Sequence, residues 1–84
     1  MARHLTLSVP DDAFSILRLP PEAFGRELRL AAAIKWYELG RLSQSKAAEL
    51  AGMTRAAFLE ALGRYEVSPF QVTPEELEEE FNRE

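Results

Sequence analysis

Residues 43–65 read SQSKAAELAGMTRAAFLEALGRY, and the reading of this stretch decides the fold. Ser43 stands where a helix N-cap is wanted, because its hydroxyl can accept from a backbone N–H that the helix start leaves unpaired. The helix it opens carries Lys46, Ala47, Ala48, Glu49 and Leu50. It stops at Gly52, the residue type that takes a left-handed turn without steric penalty. Thr54 then caps a second helix from residue 55 to about 65. In it Phe58, Ala61, Leu62 and Tyr65 fall at i, i+3, i+4 and i+7, one core-facing stripe. Two short helices across a tight Gly-containing turn form a helix-turn-helix. Ala48 lets the pair cross closely, and Met53 fills the gap behind the turn.

Upstream, Pro20-Pro21-Glu22 opens a long helix whose apolar pattern ends at Leu39, with Gly40 as its stop. Phe24, Leu28, Ala31, Ala32 and Leu39 make one stripe on it. Leu30, Ile34 and Tyr37 make another, and Trp36 lies outside both. A surface helix normally shows one stripe. Two predict packing on two sides, as in the central helix of a dimer; the alternative is burial within one subunit.

Nearer the N-terminus, HLTLSV at residues 4–9 alternates strictly, with Leu5, Leu7 and Val9 on one face. That pattern predicts a half-buried strand, ended by Pro10. Asp11 or Asp12 then caps a short helix carrying Phe14, Ile16 and Leu17. A lone strand leaves its backbone groups unpaired. It must therefore pair, with a copy of itself across a two-fold axis or with a late strand at residues 70–72. The expected fold is mainly α with this short N-terminal β-strand, and the expected dimer interface is Leu5, Leu7, Val9, Leu30, Ile34 and Tyr37.

Length and composition argue the same way. The chain has 84 residues, 46% of them hydrophobic and 29% charged. A domain this small buries a thin core and often needs a disulfide, a metal or a partner. There is no cysteine and one histidine, His4, so disulfides, thiolate sites and multi-histidine zinc sites are excluded. Association is the remaining route, and a homodimer is expected. The same counts leave nothing for nucleophilic catalysis beyond His4, and the four isolated glycines build no phosphate loop. The expectation is a non-enzymatic protein with no cofactor, no metal and no small-molecule substrate. No apolar run approaches a membrane span and the start does not read as a signal peptide, which predicts a cytoplasmic chain.

The net charge of −4 averages two unlike parts. Residues 75–84 hold six glutamates and one arginine, a net −5, whereas residues 26–64 hold seven bases against four acids, a net +3. Residues 1–72 therefore read as a strand plus helical domain, and residues 73–84 as an acidic C-terminal helix or tail. Thr73-Pro74-Glu75-Glu76 carries the start signals of that helix, a cap, a first-turn proline and a capping-box glutamate. Its large apolar residues are Leu77 and Phe81, at i and i+4. So acidic a short helix is marginal alone. It reads either as a solvated tail or as a segment that folds on a basic partner, with Leu77 and Phe81 as anchors.

A helix-turn-helix has two readings, DNA contact or core scaffold. For DNA, Ser43, Gln44, Ser45 and Lys46 gather hydroxyl, amide and ammonium donors at a helix N-terminus, a good seat for a phosphate. Thr54 and Arg55 open the recognition helix, where such modules reach base edges. The outward face of that helix is Ala56, Leu59, Glu60, Gly63 and Arg64, with Arg64 its only base. Two copies on a two-fold axis would double these sparse phosphate contacts. The alternative is a protein-interaction module whose helix-turn-helix only builds a core.

The HLTLSVP start, the LPPEAFGRELRLAAAIKWYELGRLSQSKAAELAGMTRAAFLEAL run and the acidic tail together resemble a UPF-class family of small prokaryotic antitoxin-like proteins, often described as VapB-like. The sharpest match is G-(K/R)-(L/I)-S-x-x-K-A-A-E-L-A-G-(M/L)-(S/T)-R, at residues 40–55 here. Ala56 and Ala57 follow, where family members often carry a large aromatic or acidic residue. The resemblance implies a helix-turn-helix that binds operator DNA to regulate a toxin–antitoxin operon. It also implies a C-terminal region, here holding Leu77 and Phe81, that engages a PIN-domain ribonuclease toxin.

Overall fold

A computed structural model describes residues 2–70, which form four helices. These are α1 (Asp12–Leu17), α2 (Pro21–Glu38), α3 (Gln44–Ala51) and α4 (Arg55–Arg64). The caps of α3 and α4 fall where the sequence puts them, whereas at α1 Asp11 holds the cap position without a side-chain hydrogen bond. Lys46 N–H donates to Ser43 Oγ at 3.2 Å, and Ala57 N–H donates to Thr54 Oγ1 at 3.1 Å. Pro21 occupies the first helical position of α2, where its missing N–H leaves no gap in the ladder.

Each helix ends the same way. Within two residues of its end a residue turns left-handed, and the next N–H reaches back across the last turn, the Schellman pattern that satisfies terminal carbonyls. Gly40 and Gly52 do this after α2 and α3, with φ of 76° and 72°. The corresponding bonds run from Arg41 N–H to the Trp36 carbonyl and from Met53 N–H to the Ala48 carbonyl. After α1 and α4 the left-handed position is held by Arg18 and Glu66, both at φ 57°. Leu19 N–H then bonds the Phe14 carbonyl, and Val67 N–H the Leu62 carbonyl. Val67 is thereby folded back into the core above Leu62.

Among the described residues the core lies entirely between residues 30 and 67. Leu30, Ala33, Ile34 and Tyr37 of α2 face Ala47 and Ala48 of α3 and Phe58, Ala61 and Leu62 of α4, with Val67 closing one end. Alanines at 33, 47, 48 and 61 admit the close approach that lets so few residues exclude water. Tyr37 and Phe58 meet edge to face, ring centroids 5.9 Å apart, an arrangement that suits their quadrupoles. Leu42, Leu50, Ala51, Met53 and Tyr65 pack around this centre.

Two expectations are corrected here. The N-terminal strand is absent: among the described residues there is none, and residues 2–10 form neither helix nor strand. A strand exists only as half of a ladder. One expected partner is a second copy; the other falls on Phe70, which sits in an exposed turn, and on residues 71 and 72, outside the described residues. The second correction concerns α2. Leu30, Ile34 and Tyr37, assigned above to a dimer interface, are buried in the chain's own core, so their apolar surface is already covered. The opposite side of α2 stays outward, with Leu28, Trp36 and Leu39 exposed. Leu5 and Leu7 are exposed at 81% and 56%, and Val9 is half-buried.

Helix α1 contributes nothing to the core. It is joined to α2 through Phe14 and Phe24, whose rings lie 4.7 Å apart, while Ile16 and Leu17 face solvent. No helix among the described residues is long and apolar enough to cross a membrane. The expected acidic helix at residues 73–84 lies outside the described residues.

Candidate nucleic-acid interface

The junction of α3 and α4 is organised around one amide. Gln44, the first residue of α3, is 5% exposed, and burying a primary amide is tolerable only if its donors and acceptor are matched. Its Nε2 donates to Tyr37 Oη at 3.2 Å and to the Pro69 carbonyl at 3.1 Å. Its Oε1 accepts from Arg55 Nε at 2.9 Å. Tyr37 Oη donates in turn to the Pro69 carbonyl at 2.9 Å. One buried amide thus ties together the start of α3, the first residue of α4, the middle of the core and the chain leaving α4.

A second cation braces the other end of α3. Arg29 Nε donates to the Leu50 carbonyl at 2.9 Å, filling one of the acceptors that a helix C-terminus leaves open. Its guanidinium lies against the turn: a Cβ placed on Gly52 would stand 3.3 Å from Arg29 Nη2. Close approach and positive φ together explain why glycine occupies residue 52.

The residues expected to contact DNA divide in two. Ser43 and Gln44 turn inward, the first as a cap and the second as the buried amide just described. Ser45 is half-buried. Lys46, Thr54, Arg55 and Arg64 are exposed. Lys46 Nζ pairs with Glu49 Oε2 at 3.4 Å, an exposed pair of little energetic weight that a phosphate could displace. Arg55 stands at the N-terminal end of α4 and Arg64 at its C-terminal end, nine residues or about 14 Å further along. The face between them, Ala56, Leu59, Glu60 and Gly63, is exposed as expected. Leu77 and Phe81 lie outside the described residues.

Arg29, Tyr37 and Pro69 were not expected at this junction. Their partners lie 21, 7 and 25 residues away along the chain, so no local spacing announces them. Among the described residues no cluster of His, Cys, Asp and Glu could hold a metal ion.

The model of the uncharacterised protein family UPF0175 matches residues 1–83. The chain belongs to that family. It is similar to a UPF0175 protein of Aeropyrum pernix, 35% identical over 79 residues, which covers 94% of this chain and 83% of the relative. No solved structure matches. Family membership therefore spans both the helix-turn-helix and the acidic segment that follows it.

Proposed function

We propose that this UPF0175 chain is an antitoxin-like transcriptional regulator, a non-enzymatic cytoplasmic protein of a prokaryotic toxin–antitoxin operon. Its α3–α4 helix-turn-helix binds operator DNA, and residues 73–84 engage a PIN-domain ribonuclease toxin through Leu77 and Phe81. The observation that carries the DNA arm is the 2.9 Å bond from Arg55 Nε to Gln44 Oε1. It fixes a guanidinium at the N-terminal end of the second helix, the position from which such modules reach base edges. Lys46, Thr54 and Arg64 supply backbone contacts. So few cations per chain call for two copies on a two-fold axis, with half-sites about one helical turn apart. Leu5, Leu7, Val9 and the outward side of α2 are the surface offered to the second copy.

Footprinting on DNA upstream of the gene tests this. Protection of paired half-sites at low salt is expected, weakening steeply as salt rises. Arg55→Ala should reduce affinity about tenfold or more, the scale of one lost base contact, and Lys46→Ala should weaken all sequences alike. Absence of protection at low salt would sink the DNA arm.

A second reading has its own support. Ser43 and Gln44 are consumed inside the fold, and the outward face of α4 carries one arginine at its far end. On this reading the helix-turn-helix is a scaffold and the chain is a protein-interaction module. It predicts partner capture through residues 73–84 with no salt-dependent affinity for DNA.

A further inference from the structure

We propose that residues 5–9 of two copies pair as an antiparallel β-ladder with Leu7 on the two-fold axis, a ladder that forms only on association. This rests on the two-copy part of the reading above and needs no DNA. Three observations converge. The first is an open backbone. Among the described residues, 2–9 donate and accept no hydrogen bond. Residues 2–8 are exposed, so both sides of the segment can take a partner strand.

The second is the state of Pro10, which ends the segment. It has no N–H, and its carbonyl already accepts from Ala13 N–H at 3.0 Å. Pro10 therefore offers a ladder nothing. In an antiparallel pair alternate residues turn both backbone groups toward the partner. The phase that uses Leu5, Leu7 and Val9 leaves Pro10 pointing away and loses no bond. The opposite phase, through His4, Thr6 and Ser8, would run into Pro10 and lose one in each copy.

The third is self-complementarity, which selects the register. With Leu7 opposite its own copy, Leu5 meets the partner's Val9 and Thr6 meets the partner's Ser8. Just past the ladder, Arg3 comes beside the partner's Asp11, and symmetry makes every such pair twice. Moving the axis to Thr6 sets Arg3 against the partner's Val9, and moving it to Ser8 sets Leu5 against the partner's Asp11. An axis between residues sets leucines against polar side chains. The Leu7 register alone matches apolar with apolar, hydroxyl with hydroxyl and cation with anion. A two-stranded ribbon is marginal by itself and needs apolar cover on one face. Ile16 and Leu17 of α1 are exposed in each copy and follow Pro10 directly along the chain, where they can supply it.

The natural chain has no cysteine, so single cysteines in the full-length protein report the pairing. In Leu7→Cys the two Cα atoms would stand about 5.5 Å apart, within disulfide reach, and mild oxidation should give covalent dimer readily. In Leu5→Cys they would lie four residues apart on the ladder, about 14 Å, and crosslinking should be at least about tenfold slower. Mixing Leu5→Cys with Val9→Cys should restore it. Without any cysteine, Arg3→Asp should weaken dimerisation about tenfold in sedimentation, and adding Asp11→Arg should recover it. Asp11 makes no side-chain cap bond, so the exchange spares α1.

Equal crosslinking at residues 5, 7 and 9 overturns the register, because parallel pairing or random collision gives that result. A chain that sediments as a dimer but crosslinks at none of the three overturns the ladder and leaves the two-copy reading to the outward side of α2. A chain that stays monomeric as its concentration rises overturns both. Rapid Leu7→Cys crosslinking with no protection of DNA leaves the ladder standing and defeats the DNA reading instead.

Discussion

Residues 2–19 and residues 30–67 carry similar apolar lettering and meet different fates. The second region buries Leu30, Ile34, Tyr37, Phe58, Leu62 and Val67 in one core. The first leaves Leu5, Leu7, Ile16 and Leu17 exposed, with Ile16 at 70%. Patterning selects a local conformation, but burial needs an opposing surface, and within the described chain only α2, α3 and α4 provide one another with that. The N-terminal region thus leaves four large apolar side chains exposed on the same molecule.

The sharpest way to break this comparison is to damage both regions equally. Phe58→Ala empties the centre of the core and should cost about 3–5 kcal/mol, enough to unfold so small a domain at room temperature. Circular dichroism on heating would show it. If Phe58→Ala melts as the natural chain does, the core is not where the structure puts it.

An intermediate effect comes from the helix ends. Glu66 holds a left-handed conformation that a side chain resists by about 1–2 kcal/mol, so Glu66→Gly should stabilise the fold by up to about 1 kcal/mol after the greater chain entropy of glycine is counted. Gly52→Ala should destabilise by a similar amount, because it introduces the same strain beside the Arg29 guanidinium. Urea denaturation of the two variants would reveal opposite shifts in midpoint; shifts of the same sign would refute the reading of the helix ends.

The smallest effect is expected in the N-terminal region. Leu5→Ser with Leu7→Ser should change the stability of a dilute monomer by no more than about 0.5 kcal/mol, as at other exposed positions. Sedimentation at rising concentration would show whether the same pair weakens self-association. A large loss of monomer stability would mean that residues 2–10 are packed after all.

These contrasts also show which parts of the molecule are legible in its sequence. Ser43, Thr54, Gly40 and Gly52 announce themselves because a cap or a left-handed turn is decided within a few residues. The stripe Phe58, Ala61, Leu62 is legible for the same reason. Gln44 is not: whether an amide at the first turn of a helix faces phosphate or protein depends on Tyr37 and Pro69, which only the tertiary fold brings near. Arg29 and the α3 C-terminus repeat the lesson. The strand at residues 4–9 shows the opposite error, since a two-residue period states which side chains share a face but not whether a ladder partner exists. Arg18 and Glu66 end their helices left-handed without glycine, so composition alone could not mark them.

The strained turn at Glu66 has a further consequence. By folding Val67 back onto Leu62, it brings Pro69 to the Gln44 amide. The left-handed turn, the returned valine and the proline carbonyl then act together as a clasp that closes the core at the end of α4.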